Sequence, residues 1–393
     1  MIMMTLVRSD DVLTQAEGKL QTMLETLNKW MKKWQMAINP KKSNIMHFRP
    51  PRRQRSARQF KVGDIELDYV KSYRYLGTYF CEFLKFEKNA EELGKASGRA
   101  LGVLIHKYKS GGYMGHSTYR KLFDSCVAPV MDYGSAVWGI KSFKQINDIQ
   151  LRALRVFLGV HKFCPIVGIE GDTAWDPPHI RHKLNMLKLW NRLVQMDNDR
   201  LTKKVFLYDY QNARQGVKNW CYELQSLLES IFKPECFRER SICHVLSAKE
   251  ILLEHQKRKW KLQFDGQRKL RFLKSFKDEI CTENYVKYNL SSSERSYMAQ
   301  LRFGILPINI ETGRFVNQPI ERRICNLCEN GIEDENHLLF NCIFYEEHRT
   351  KFVNDILATL PIFNQLDRKE KLKIMFEKFH RKTAKFIRTC FSF

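Results

Sequence analysis

Near its C-terminal end the chain carries Cys325-Asn326-Leu327-Cys328, then His337, then Cys342, a C-x2-C-x8-H-x4-C array. No other feature restricts the fold as tightly. A C-x2-C turn aims two thiolates at one point, and a His and a Cys a short distance on complete a set of four donors. Four protein donors fill a tetrahedron, so the array predicts a closed, structural Zn²⁺ site rather than a catalytic one with an open position. Arg322 and Arg323 precede the turn and favour the thiolate form. The remaining cysteines of the eleven are scattered along 393 residues, which argues for a reduced, intracellular protein, nuclear or cytoplasmic, rather than a disulfide framework. Cys236 and Cys243 with His244 form a looser group, expected to be core cysteines.

Charge narrows the partner. Lys and Arg number 67 against 43 Asp and Glu, a net charge of +24, and such a field attracts polyanions. The expected partner is RNA or DNA, bound mainly through phosphates, with Lys41, Lys42, Arg52, Arg53, Arg322 and Arg323 as candidate contacts. Trp30 and Trp34 lie among lysines, but their helical spacing with Met31 predicts burial. No run of about 18 apolar residues occurs, so neither a transmembrane helix nor a membrane partner is expected. The opening residues 1–8 lack the basic leader and small-residue cleavage site of a signal peptide.

Periodicity predicts a mostly α protein with a small α+β N-terminal piece. Leu13, Leu20, Leu24, Leu27, Met31 and Trp34 mark an amphipathic helix over 14–33, ended by Asn39-Pro40. Asn44-Ile45-Met46-His47-Phe48 reads as a strand and 49–58 as an exposed Pro- and Arg-rich loop. Residues 60–67 read as a hairpin around Gly63-Asp64, and 73–80 as a further strand-prone piece. Helices are expected near 86–108, 116–129, 143–158 (capped by Gly159) and 179–196, with more over 200–310 and a last stripe over 367–391. The break at 174–178 could separate domains.

Several blocks together resemble one family. They are Trp30-Met31-Lys32-Lys33-Trp34 running on to Asn39-Pro40-Lys41-Lys42, Tyr73-Arg74-Tyr75-Leu76-Gly77, 128–139 with Asp132-Tyr133-Gly134, 299–304, 311–315 and the Cys/His array. In this order they resemble the C-terminal part of a LINE-type (non-LTR, jockey-like) retrotransposon reverse transcriptase. The resemblance implies a remnant of palm and primer-grip hairpin over 1–84, with Tyr75, Leu76 and Gly77 against nucleic acid. It further implies a helical thumb-like region over 85–175, a basic helical linker over 176–318, a CCHC zinc knuckle over 319–350 and a C-terminal helix over 351–393. The rest of a retrotransposon polymerase becomes a further possible partner.

Asp10-Asp11 is the one pair that could stand for the family's catalytic aspartates. A carboxylate pair on a hairpin can hold Mg²⁺ for phosphoryl transfer, but two-metal chemistry needs another carboxylate from an upstream strand. Only nine residues precede Asp10, and Arg8-Ser9 stand where the family has an aromatic and Ala. The expectation is therefore a truncated polymerase that binds nucleic acid without polymerising on its own, with Mg²⁺ relevant only if an upstream palm completes the site. Two alternatives are an active reverse transcriptase so completed and a zinc-dependent protein-interaction module; an exposed apolar face over 367–391 would mark the latter.

Overall fold

The computed structural model describes residues 10–111 and 114–391. The chain divides into two compact units, one ending at Glu92 and one beginning at Leu93.

The first unit holds helix α1 (Asp10–Lys33) and five short strands, β1 (Asn44–Ile45), β2 (Phe60–Val62), β3 (Ile65–Tyr69), β4 (Ser72–Tyr75) and β5 (Thr78–Cys81). Strands β1 and β3 pair in parallel and β2 pairs antiparallel with β3; β4 and β5 form a separate hairpin. The α1 stripe Leu24 and Met31 packs on Phe60, Val62 and Leu67, with Leu20 and Leu27 beside them. The Gln21 amide fixes the strand edge, donating to the Lys61 carbonyl at 3.1 Å and accepting from its N–H at 3.2 Å. Gly63 turns the first hairpin at φ 61°, a conformation open to a residue without Cβ. The strand-prone piece 73–80 forms the β4–β5 hairpin expected at Tyr75-Leu76-Gly77. Its turn residues, Leu76 and Gly77, both have positive φ, 45° and 86°. For leucine this conformation costs about 1–2 kcal/mol.

The second unit is helical: it begins within α2 (Glu87–Ser110) and continues with α3 (His116–Leu122), α4 (Ala128–Met131), α5 (Ser135–Trp138), α6 (Lys144–Leu158), α7 (Ile166–Thr173), α8 (Pro178–Gln195), α9 (Leu201–Arg214), α10 (Trp220–Ser230), α11 (Pro234–Arg238), α12 (Val245–Gly266), α13 (Asn284–Lys287), α14 (Ser292–Arg302), α15 (Asn309–Thr312), α16 (Glu346–Leu357), α17 (Arg368–Glu377) and α18 (His380–Cys390). The helix expected over 116–129 is interrupted by a π turn, Phe123–Val127. Pro129 has no N–H and its ring would strike the carbonyl of an ordinary turn, so the backbone widens there. Gly159 caps α6 at φ 66°. The 174–178 break joins α7 to α8 inside the second unit, where Trp175 is buried with its Nε1 donating to His116 Nε2 at 3.0 Å. One core gathers Trp190, Phe206, Tyr210 and Phe237 from α8, α9 and α11, with Cys236 and Cys243 inside it. The C-terminal stripe is split between α17 and α18, and Leu372, Met375, Phe376, Phe386 and Ile387 are all buried.

A second centre of cohesion is ionic. Arg302 is buried at the end of α14, and its Nε and Nη2 donate to Asp172 of α7 at 2.6 and 2.9 Å. Its Nη2 lies 3.0 Å from Glu283, which also binds Lys277; Lys277 in turn lies 3.5 Å from Asp172. Tyr285 donates to Asp172 at 2.9 Å, and the faces of Phe276, Tyr285 and Phe376 surround the guanidinium at 5.1 to 5.4 Å. Two cations and two carboxylates balance, which makes burial tolerable; removing one partner strands the others. Asp172→Asn should therefore lower unfolding free energy by about 3–5 kcal/mol in urea titration, and a loss below about 1 kcal/mol would contradict this role.

Candidate metal centre

The Cys/His array is built on two local turns. Cys325 accepts at its carbonyl from Glu329 N–H at 2.9 Å and donates its own N–H to Gly331 at 3.0 Å, closing a tight loop. Gly331 takes φ 81° there, which glycine allows freely. The second turn is a π turn, His337–Asn341, whose wide spacing lets the Cys342 N–H reach the His337 carbonyl at 2.8 Å. The Asp334 carboxylate accepts from the His337 N–H at 2.7 Å and fixes where that turn begins.

Together these turns bring Cys325, Cys328, His337 and Cys342 to one point, all four donor atoms lying within 4.8 Å of one another. Cys325 Sγ and Cys342 Sγ are 3.9 Å apart, and Cys328 Sγ is 3.3 Å from His337 Nε2. A tetrahedral ion with metal–sulfur bonds of about 2.3 Å and metal–nitrogen bonds of about 2.05 Å would space its donors at roughly 3.8 and 3.6 Å. The residues thus fit a metal ion of the size and softness of zinc. Burial holds the imidazole of His337 below its usual range, so the ring is neutral and free to offer Nε2. Burial pushes the Cys342 thiol up to about 12 and raises Cys325, so it is the ion's own charge that would deprotonate them. The loop is anchored to the second unit through Glu333, which accepts from Asn309 N–H at 2.8 Å, and through Glu335, paired with Arg271 at 2.7 Å.

The candidate nucleic-acid contacts fall out differently. Lys41, Lys42 and Arg52 are exposed, as is Arg322. Arg53 is only half-exposed, and its carbonyl accepts from Arg49, itself paired with Glu82 at 2.9 Å. Arg323 is buried, donating to the carbonyls of Ile310 at 2.8 Å and Gln318 at 2.6 and 2.9 Å. Buried, with Nε, Nη1 and Nη2 all donating inside the fold, Arg323 positions the loop and does not present its charge at the surface as Arg322 does. Tyr75, Leu76 and Gly77 form the hairpin tip, Leu76 being 73% exposed. Asp10 and Asp11 open α1 rather than a hairpin, and their side chains lie outside the described residues.

Trp30 and Trp34 correct the expectation of burial: they are 50% and 60% exposed. The buried stripe runs through Ala16, Leu24 and Met31, so Trp30 sits about 100° around the helix from Met31. Trp34 follows the last helical residue, Lys33, whose ammonium lies 5.7 Å from the indole centre.

Other blocks of the resemblance have structural work. Asp132 binds Arg181 at 2.7 Å and His182 at 2.8 Å, and Trp138 packs against His182 at 4.8 Å. A Cβ on Gly304, at φ 63°, would lie 2.3 Å from the Lys269 carbonyl. Glu311 pairs with both Lys269 and Arg314 at 2.7 Å.

The metal centre is testable directly. Co²⁺ added to metal-free protein should produce the intense near-ultraviolet thiolate charge-transfer band of a three-sulfur site, weaker in Cys328→Ser. Affinity should fall as pH falls, because protons compete for the thiolates and the imidazole. No sulfur-to-cobalt band at neutral pH would rule out the site.

Two curated proteins of Drosophila melanogaster are similar to this chain. The probable RNA-directed DNA polymerase from transposon BS is 26% identical over 153 residues, and that from transposon X-element 22% identical over 151. Each match covers 38% of this chain, and the chain spans only 17% and 16% of those relatives' own lengths. No family model and no solved structure matches the chain. Over those stretches the chain is similar to RNA-directed DNA polymerases of transposons.

Proposed function

We propose that this chain is a nucleic-acid-binding part of a non-LTR retrotransposon reverse transcriptase, that Cys325, Cys328, His337 and Cys342 hold a structural Zn²⁺, and that the chain alone does not join nucleotides. The observation that carries the binding function is the exposure of Trp30 and Trp34 beside Lys33 in a protein of net charge +24. Exposed indoles cost hydrophobic free energy unless something covers them, and nucleobases stack on such faces while cations meet the phosphates. Lys41, Lys42, Arg52 and Arg322 add exposed charge, and the strained tip at Tyr75, Leu76 and Gly77 offers a projecting contact. Sequence kinship to RNA-directed DNA polymerases supports RNA and DNA as the ligands.

In this function the zinc ion is structural. Its four protein donors leave no position for substrate, and the loop they close presents Arg322 at the surface. Partner docking through the C-terminal stripe has little support, because the stripe's large apolar residues are covered within the second unit. No helix among the described residues is long and apolar enough to cross a membrane.

Two measurements test the proposal. Fluorescence anisotropy with labelled single-stranded RNA at low salt should show binding, and Trp30→Ala and Trp34→Ala should each weaken it by about 1–3 kcal/mol, roughly 5- to 150-fold. Equal affinity for wild type and both variants would remove the stacking role. Primer extension with Mg²⁺ and deoxynucleotides should give no product; incorporation lost in Asp10→Ala/Asp11→Ala would establish the polymerase alternative instead.

A further inference from the structure

Helices α2 and α6 run side by side in the same direction. A Cβ built on Gly94 would meet Gln145 at 3.3 Å, one on Gly98 would meet Ile149 at 3.6 Å, and Tyr108 packs on Phe157 at 5.8 Å. The two helices therefore end together, at Ser110 and Leu158. Between these ends opens a cleft of about 560 Å³ lined by Lys109, Asp148, Arg152, Arg155, Gly159 and Lys162, among others.

The charges there do not balance. Asp148 is already paired with Lys144 at 2.7 Å. Lys109, Arg152, Arg155 and Lys162 make no ion pair among the described residues, and Arg155 Nε is buried without a hydrogen-bond partner. Cations at helix C-termini offset the macrodipole, but each terminus carries only about half a negative charge. Two termini absorb about one of the four cations, leaving a surplus of about three facing one concave space.

We infer that this cleft binds backbone phosphates of a nucleic acid. The inference rests on the nucleic-acid-binding function proposed above and adds to it a second binding surface, on the second unit. A cleft of this volume accommodates a phosphodiester with its sugar, and its cations match phosphate oxygens without demanding any base. The site would contribute affinity and salt dependence rather than sequence preference.

The test compares wild type, Lys109→Ala/Arg152→Ala/Lys162→Ala, and a control with the same charge removed elsewhere on the second unit, Lys378→Ala/Arg381→Ala/Lys385→Ala. All six side chains lie at the surface or nearly so, and thermal unfolding checks that each variant folds. Affinity for a labelled single-stranded RNA and a DNA duplex is measured across a salt series. The cleft variant should bind at least about tenfold more weakly than the control near 0.1 M salt, with a log–log salt slope shallower by about 2–3. If wild type binds and the cleft variant matches the control, the cleft is overturned while the proposed function stands. If wild type does not bind at low salt, the proposed function itself fails and the cleft with it. Stabilisation of wild type by sodium pyrophosphate, lost in the cleft variant while nucleic-acid affinity is unchanged, would assign the site to a free anion and overturn the inference.

Discussion

The second unit depends on a charge taken out of water. Arg302 can remain ionised in the interior only because Asp172 and Glu283 meet it there and three aromatic faces enclose what remains. The residues that satisfy it come from segments separated by more than a hundred positions, Asp172 on α7 and Tyr285 on α13 among them. A set of this kind has essentially one geometry, since any displacement strands a charge in low dielectric. It thereby fixes the end of α14, from which the chain passes through Gly304 to the Cys/His loop.

Along that passage the small Cys/His loop acquires a defined place. Gly304 comes so close to the Lys269 carbonyl that any side chain would collide, and Lys269 in turn pairs with Glu311. Arg271 reaches Glu335 inside the loop, while Arg323 ties its start to Ile310 and Gln318. The loop has few apolar residues of its own to bury, so its shape rests on these tethers and on the four donors that face one another. Charge is thus divided in this molecule: inside it is paired and shapes the fold, and the chain as a whole keeps a surplus of +24.

Sequence reasoning recovered the elements whose signals are local. The α1 stripe, the Gly63 hairpin, the Gly159 cap and the convergence of Cys325, Cys328, His337 and Cys342 follow from spacing alone. It failed where the outcome depended on a few degrees or on distant partners. Trp30 and Trp34 share a helical interval with the core stripe, yet one falls about 100° off it and the other follows the helix end. The second hairpin follows from the resemblance and not from spacing, because its turn places leucine, which normally avoids positive φ, at the first central position. Arg323 looks like its exposed neighbour Arg322 in a sequence; only the fold shows which of the two is consumed by carbonyls. The capping boxes at Ser291 with Glu294 and Asp367 with Glu370 could have been found, since both keep the three-residue spacing of that motif. The separation of α17 from α18 lay at the second of these signals' far end, where no proline or glycine marks it.

The central claim is that a defined surface of this chain meets nucleic acid, with exposed aromatics beside surplus cations. Photocrosslinking to RNA containing 4-thiouridine, followed by mass spectrometry of the adducts, reads that surface directly. The account predicts crosslinked peptides containing Trp30, Trp34 or Tyr75. Crosslinks confined to other peptides, or none at low salt, would contradict it.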